Sequence, residues 1–174
     1  MPLLTDDAPP AVKNTKRTGE FSEAAFLHRA EGLGFKLAKP WGDSERYDFV
    51  LDSGSRLWKV QIKGTETLRA RGYEVRASYT DGKGRANYQP GDIDVLAAHV
   101  IPLDLWYILP VGVWGDHPML RFYPHGAKHT KYEQYREAWD LFREPPEPAA
   151  CPRGLRPGQC PVRFAIHPEL INDN

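Results

Sequence analysis

Apolar residues recur along this chain with two periods, and the changes of period divide it into elements. Between Glu20 and Leu33 the spacing is helical. Thr18-Gly19 offers a start, Glu20 falls in the first turn where the helix dipole favours an acid, and Gly34 is a natural stop just past the last turn. Trp41 to Arg46 is rich in turn formers. Tyr47 to Leu51 then carries the aromatic and branched residues of a strand, followed by a turn at Asp52-Ser53-Gly54-Ser55. From Leu57 to Lys63 the period is two, with Trp58, Val60 and Ile62 alternating with Lys59, Gln61 and Lys63. Tyr73 to Tyr79 predicts a third strand, and Thr80 to Gly91 a polar, glycine-rich loop turning at Asp81-Gly82. Apolar runs at Ile93–Ile101 and Leu105–Leu109 predict two more strands, separated by Pro102-Leu103-Asp104 as a hairpin turn. Val111–Trp114 and Met119–Tyr123 read as edge strands. Lys131–Phe142 reads as a helix whose Tyr132, Tyr135, Trp139 and Phe142 form one core stripe.

The order is helix, three strands, two strands, helix, which predicts a mixed α/β or α+β domain. We place that domain at residues 18–143. Residues 1–17 form a loose arm containing Pro9 and Pro10, and residues 144–174 a tail in which Pro145, Pro146, Pro148, Pro152, Pro157 and Pro161 oppose regular structure. There are no internal repeats.

Composition narrows this further. With 174 residues, 41% of them hydrophobic and 11% aromatic, the chain can fill one core and is not a disordered polymer. No apolar run approaches bilayer length and the N-terminus lacks a signal-peptide pattern, so no membrane role is expected and the cytoplasm is the expected compartment. Cys151 and Cys160 stand in the proline-rich tail with only His167 nearby, which reads as an incidental pair rather than a disulfide or zinc site. His125 and His129 have a zinc-like spacing but lack a third ligand. The formal charge is zero, which argues against a general nucleic-acid coat protein. Between Arg56 and Arg85, however, eight basic residues face three acids, a local excess compatible with either a solvated loop or a phosphate-binding surface.

The alternating strands bring candidate chemistry together. If Tyr47, Phe49 and Leu51 face the core, Asp48 faces away, as do Gln61 and Lys63 opposite. A four-residue loop, Ser53 to Arg56, sets Asp48 against Gln61; a two-residue loop, Ser53-Gly54, sets it against Lys59. In both registers Asp48, Gln61 and Lys63 share one face, with opposed Cβ atoms about 5 Å apart. A carboxylate that can hold Mg²⁺, beside an amine that can orient water or steady a phosphate, suits phosphodiester hydrolysis. Spacing alone favours the plainer alternative, a surface cross-strand ion pair.

Glu23 changes that balance. On a helical wheel Phe26, Leu27, Ala30 and Gly34 lie within roughly 60° of it, which places a carboxylate amid the apolar face, where it needs a partner. A metal held by Asp48 would serve. Near the helix start, the same side chain could instead reach out to water. Glu20 is the fallback candidate.

These residues resemble the PD-(D/E)XK nuclease superfamily, the restriction-endonuclease-like fold, which implies a central mixed sheet flanked by helices. The matching stretch runs from Thr18-Gly19-Glu20-Phe21-Ser22-Glu23 to Gly34-Phe35, through Pro40-Trp41-Gly42-Asp43-Ser44-Glu45-Arg46-Tyr47-Asp48, to Lys59-Val60-Gln61-Ile62-Lys63. Weaker likeness continues through Tyr88, Ile93-Asp94 and Trp106-Tyr107, so the resemblance spans about residues 15 to 142. It is greatest to the branch of group I intron-type homing endonucleases and archaeal-type Holliday junction resolvases. The resemblance implies a Mg²⁺-dependent endodeoxyribonuclease, with Mn²⁺ as a substitute. Asp48 would be the central metal ligand, the Ile62 carbonyl a further ligand, Glu23 and Gln61 the completion of the shell, and Lys63 the motif lysine. Two departures stand out: Tyr47 replaces the proline before Asp48, and Gln61 replaces a carboxylate. The amide coordinates without contributing charge, which weakens the case for two metals. Contacts to DNA, double-stranded or branched, are expected from Arg69, Arg71, Lys83 and Arg85, with Lys16 and Arg17 as extras. Cutting both strands calls for a homodimer or larger assembly. The rival readings are a DNA-binding module of the same fold without catalysis, a Holliday junction resolvase, and a small fold with no nucleic-acid role.

Overall fold

Ser22, Phe26 and Ala30 lie four residues apart, and they are the buried residues of a long helix, α1 (Thr15–Gly32). The computed structural model describes residues 15–42, 44–126 and 131–143. The helix is already formed at Thr15, so Glu20 lies beyond the first turn and sits on the surface, 4.0 Å from Lys16. Its end follows the expected signal. Gly34 takes φ +86, its N–H donates to the Glu31 carbonyl (2.9 Å), and the Phe35 N–H donates to the Ala30 carbonyl (3.0 Å). This pair of bonds is the Schellman closure, which needs a left-handed residue at Gly34. The buried stripe is narrower than the wheel implies: Leu27 is 41% exposed and Ser22 occupies the centre.

The strands follow in chain order as β1 (Lys36–Ala38), β2 (Phe49–Asp52), β3 (Leu57–Thr65), β4 (Leu68–Arg69), β5 (Gly72–Arg76), β6 (Ser78–Asp81), β7 (Gly84–Asn87), β8 (Val95–Val100), β9 (Leu105–Pro110) and β10 (Met119–Phe122). The central sheet has the order β1-β2-β3-β8-β9. It is mixed, since β3 and β8 run parallel while the other neighbours are antiparallel. A parallel pair requires a crossover. Here the crossover from β3 to β8 carries β4 and β5, which with β10 form a second sheet, and the β6–β7 hairpin.

The central sheet is covered on both faces, which explains why every residue of β8 is buried. On one face Phe49, Leu51, Val60, Ile62, Val95, Ala97 and Ile108 meet Phe26 and Ala30 of α1. The Phe26 ring lies 5.5 Å from both Trp106 and Trp139 and 5.9 Å from Phe49; a truncation of such a side chain costs about 3–5 kcal/mol. On the other face Leu96, Ala98, Tyr107 and Leu109 meet Val75, Leu120 and Phe122 of the second sheet. The mixed α+β class therefore stands, but α1 covers one face only and a small sheet covers the other. Helix and sheet approach closely at Gly64, where a Cβ would lie 2.2 Å from Ser22 Oγ.

Several expectations are corrected. Tyr73–Tyr79 is not one strand: it divides at the fully buried Ala77, whose N–H donates to the Pro118 carbonyl (2.7 Å), and β5 then pairs with β10 while β6 pairs with β7. The polar stretch after Thr80 is a hairpin rather than a loop, turning where Asp81 Oδ1 accepts the Lys83 N–H (2.8 Å). Val111–Trp114 is a turn, because Gly112 and Gly115 take φ +91 and +60 and the Val113 N–H folds back to Pro110. Lys131–Phe142 is not a helix. Two short 3-10 turns, Glu133–Tyr135 and Trp139–Arg143, flank Glu137 at φ +49. The Glu137 carboxylate accepts from the Trp106 N–H (2.8 Å), Trp139 Nε1 (2.9 Å) and Arg29 Nη2 (3.1 Å), while Arg136 bridges to Tyr107. The segment thus crosses the edge strand β9, protecting it, and its aromatic stripe divides. Tyr132 and Tyr135 join one core, Trp139 and Phe142 the other.

Candidate active site

The hairpin of β2 and β3 is the frame of the site. The Ser53 N–H donates to the Arg56 carbonyl (3.0 Å), closing the four-residue loop, and Phe49 pairs with Val60. That register sets Asp48, just ahead of β2, opposite Gln61, and the Asp48 N–H donates to the Val60 carbonyl (2.9 Å). Tyr47 departs from the expected alternation: it packs with the opposite core from Phe49 and Leu51, under the Lys59 ammonium.

The Asp48 carboxylate is anchored rather than free. Its Oδ2 accepts from the Ile62 N–H (2.7 Å) and from Gln61 Nε2 (2.6 Å). Gln61 Nε2 also donates to the Ile62 carbonyl at 3.2 Å. Burial pushes the Asp48 carboxyl above its ordinary range, and the nearby Glu23 charge adds to this, while the Ile62 N–H, Lys63 and Gln61 oppose it. Burial lowers the Lys63 ammonium, against the pull of Asp48. The Lys63 Nζ stands 5.7 Å from the centre of the Tyr88 ring. Tyr88 is itself buried, and its hydroxyl is pushed up first by burial and then by the Asp48 charge, so it remains protonated and able to donate.

Glu23 reaches the same place from α1. Its side chain is 25% exposed, less enclosed than the wheel implies, and its partner is Lys39, whose Nζ lies 2.7 Å from Glu23 Oε2. Glu23, Asp48, Gln61, Ile62 and Lys63 all line one cavity of about 550 Å³. Thr15, Thr18 and Gly19 of α1 close one side, and Arg69, Glu74, Arg76 and Met119 another. Arg121 pairs with Glu74 there.

Of the expected DNA contacts, Arg69 lines this cavity. Arg71 is exposed on the two-residue β4–β5 turn at φ +68, a strained value for arginine. Lys16 and Arg17 are exposed on the first turn of α1, beside the lining threonines. Lys83 and Arg85 are exposed on the β6–β7 hairpin, off the cavity wall. That hairpin is tied to the site through Tyr79, which stacks under Arg46 (3.6 Å) and lies 5.2 Å from Tyr88. Lys39 and Arg76 were not singled out from the sequence, and Tyr88 was noted only as a point of likeness. Lys39 follows a three-residue strand too short to read, and Arg76 looked like one basic residue among eight. His129, Cys151, Cys160, His167 and the tail lie outside the described residues.

A divalent cation fits this donor set. Among the described residues no group of three or more His, Cys, Asp or Glu is gathered for a metal. Oxygen groups here that could hold one are Asp48, Glu23, the Gln61 amide and the Ile62 carbonyl, a hard set suited to an ion that retains water. Gln61 Nε2 donates to both Asp48 Oδ2 and the Ile62 carbonyl, so the amide would have to turn over to present its oxygen to a cation held between them.

The model of the PD-(D/E)XK endonuclease family matches residues 13–142. The chain belongs to that family. Its fold is shared with a solved bacterial homing endonuclease, I-Ssp6803I, at a TM-score of 0.64 and 31% identity, covering 74% of this chain and 92% of that one. Protein 5.3 of Escherichia phage T7 is 28% identical over 83 residues, 48% of this chain and 70% of that protein. Membership of this endonuclease family implies DNA as the substrate, and Glu23, Asp48, Gln61 and Lys63 line one cavity of its fold. Among the described residues no helix is long and apolar enough to cross a membrane.

Proposed function

We propose that this endonuclease is Mg²⁺-dependent, with Mn²⁺ able to substitute, and hydrolyses DNA phosphodiesters at Asp48, Gln61, Lys63 and Glu23. The observation that carries the reading is the convergence of these four residues and Ile62 on one cavity that Arg69 and Arg76 also line. Asp48 and the Ile62 carbonyl would hold the metal, with Glu23 and Gln61 completing its shell. A bound divalent ion supplies a more acidic water and steadies charge on phosphate oxygens. Lys63, beside Asp48 and Tyr88, orients the attacking water or offsets the growing negative charge. Arg69 at the rim, with Arg71, Lys16 and Arg17 further out and Lys83 and Arg85 on the hairpin, grips the phosphate backbone. A homodimer or larger assembly would present two such sites, one for each strand.

A second reading, a DNA-binding module without catalysis, rests on Gln61 donating to the oxygens a metal would use. Supercoiled plasmid incubated with Mg²⁺ separates the two. The parent protein should nick it, while chelator and Lys63→Ala should each abolish nicking. Binding without nicking supports the module, and equal nicking by Lys63→Ala refutes the assignment. Four-way junctions run beside linear duplex report whether the substrate is branched.

A further inference from the structure

Directly opposed residues share a face of a sheet, and the register of β5 with β10 and β4 gathers Arg69, Glu74, Arg76, Met119 and Arg121 on one face of the second sheet. Tyr73, Val75, Leu120 and Phe122 take the other face and are buried in the core. The polar face is a wall of the cavity: Arg69, Glu74, Arg76 and Met119 line it, as do Asp48 and Lys63. Among the described residues no ion pair engages Arg69 or Arg76. The acid between them, Glu74, is only 21% exposed and pairs with Arg121, directly opposite on β10.

That pair is built into the sheet. A Cβ at Gly72 would lie 2.7 Å from Arg121 Cγ and 3.0 Å from both Arg121 Cδ and Tyr123 Cε1, so the stem of Arg121 crosses β5 where glycine leaves room for it. Tyr123 adds a second side-chain hydrogen bond to Arg121. Glu74 stands two residues from Arg76 and two from Gly72, the partner of Arg69, about 7 Å along the strand in each direction. Without Arg121, an enclosed carboxylate would stand uncompensated between the two lining arginines. With it, the wall offers the cavity two guanidinium forks, the group best matched to phosphate oxygens. Glu66, which also lines the cavity, is exposed, where water weakens its field.

We propose that this face is the phosphate-binding wall of the site: Arg76 and Arg69 hold backbone phosphates next to the scissile one, and Arg121 neutralises Glu74 so that they can. The proposal rests on the nuclease reading above and gives Arg121 a part in substrate binding without a contact to DNA. Full-length protein carrying Lys63→Ala, to prevent cleavage, would be titrated with a fluorescein-labelled duplex in Mg²⁺ over a series of salt concentrations. Adding Arg76→Ala should weaken binding at low salt by roughly tenfold or more, the loss of a charge-assisted bond. It should also flatten the slope of log affinity against log salt by about 0.9, the share of one phosphate. Arg69→Ala should do the same; both side chains are exposed, so neither change threatens the fold. Arg121→Ala should weaken binding about threefold, a unit repulsion across ~6 Å of watery medium. Adding Glu74→Gln to Arg121→Ala should restore the affinity. Unchanged affinity and slope in Arg76→Ala and Arg69→Ala overturn the wall. Weak binding that persists in the Arg121→Ala, Glu74→Gln variant, with its thermal unfolding unchanged, overturns the neutralising role and makes Arg121 a ligand itself. If the Lys63→Ala protein binds no DNA at all, the nuclease reading fails; binding that ignores Arg69 and Arg76 sinks this proposal alone.

Discussion

Gly64→Ala tests whether the packing of α1 on β3 sets the position of Glu23. A methyl group at Gly64 would sit 2.2 Å from Ser22 Oγ and 3.2 Å from both Ser22 Cβ and Ile101 Cδ1. An ordinary contact needs ~1 Å more than the shortest of these. Ser22 cannot simply swing aside, because it is fully buried and its Oγ lies 3.2 Å from Nδ1 of His99, a ring stacked on Trp106 at 4.1 Å. The helix must therefore move, and Glu23 with it. Overpacking of this kind costs about 1–3 kcal/mol, at about 2–4 °C of melting temperature per kcal/mol in a chain of this size. A displacement of ~1 Å in a catalytic group lowers the rate on the order of a hundredfold. Thermal unfolding and plasmid nicking at saturating Mg²⁺ read the two effects. Gly32→Ala is the control, since a Cβ at Gly32 meets nothing within 4 Å. If Gly64→Ala matches Gly32→Ala in both assays, the helix is not positioning Glu23 as argued.

Asp48→Asn should raise the melting temperature in chelator at neutral pH while abolishing nicking. The folded Asp48 carboxyl sits above its unfolded value, so its favourable contribution exists only at acid pH and is lost as pH rises through the folded pKa; calorimetry at acid and neutral pH should show the gain at neutral pH alone. Gln61→Glu should tighten Mg²⁺ binding by about tenfold or more, roughly 1.4 kcal/mol, because it replaces a neutral amide with a charged oxygen ligand; an unchanged titration would place Gln61 outside the metal's shell. The pH–rate profile should narrow from both sides. Asp48 ionises later than an ordinary carboxylate and Lys63 loses its proton earlier than an ordinary lysine, so Lys63→Arg should extend any residual activity to higher pH.

The hairpin was legible because its period of two placed Asp48, Gln61 and Lys63 on one face whichever loop closed it. The register was not, since it depends on the Ser53–Arg56 bond. Glu23 could be assigned to the side of α1 that meets the sheet, but not its surroundings. Ser22 takes the centre of that stripe only because Gly64 leaves room for it, a fact of two elements distant in sequence. The last segment read as a helix because its aromatics fall at helical spacing. Glu137, bonded to Trp106, Trp139 and Arg29, overrides that local preference. The β6–β7 hairpin escaped notice because its strands are polar and alternate nothing visible, though its Asp81-Gly82 turn was marked. Lys39 could not be found without knowing that β1 lies beside β2 at the sheet edge.

The proposed nuclease chemistry depends on Asp48 holding a divalent ion. Calorimetric titration of Mg²⁺ or Mn²⁺ into the parent protein and Asp48→Ala, side by side, measures this without reference to any DNA substrate. Saturable binding in the parent and heats equal to buffer in Asp48→Ala are expected. Binding that survives in Asp48→Ala, or none in the parent, would contradict the central claim.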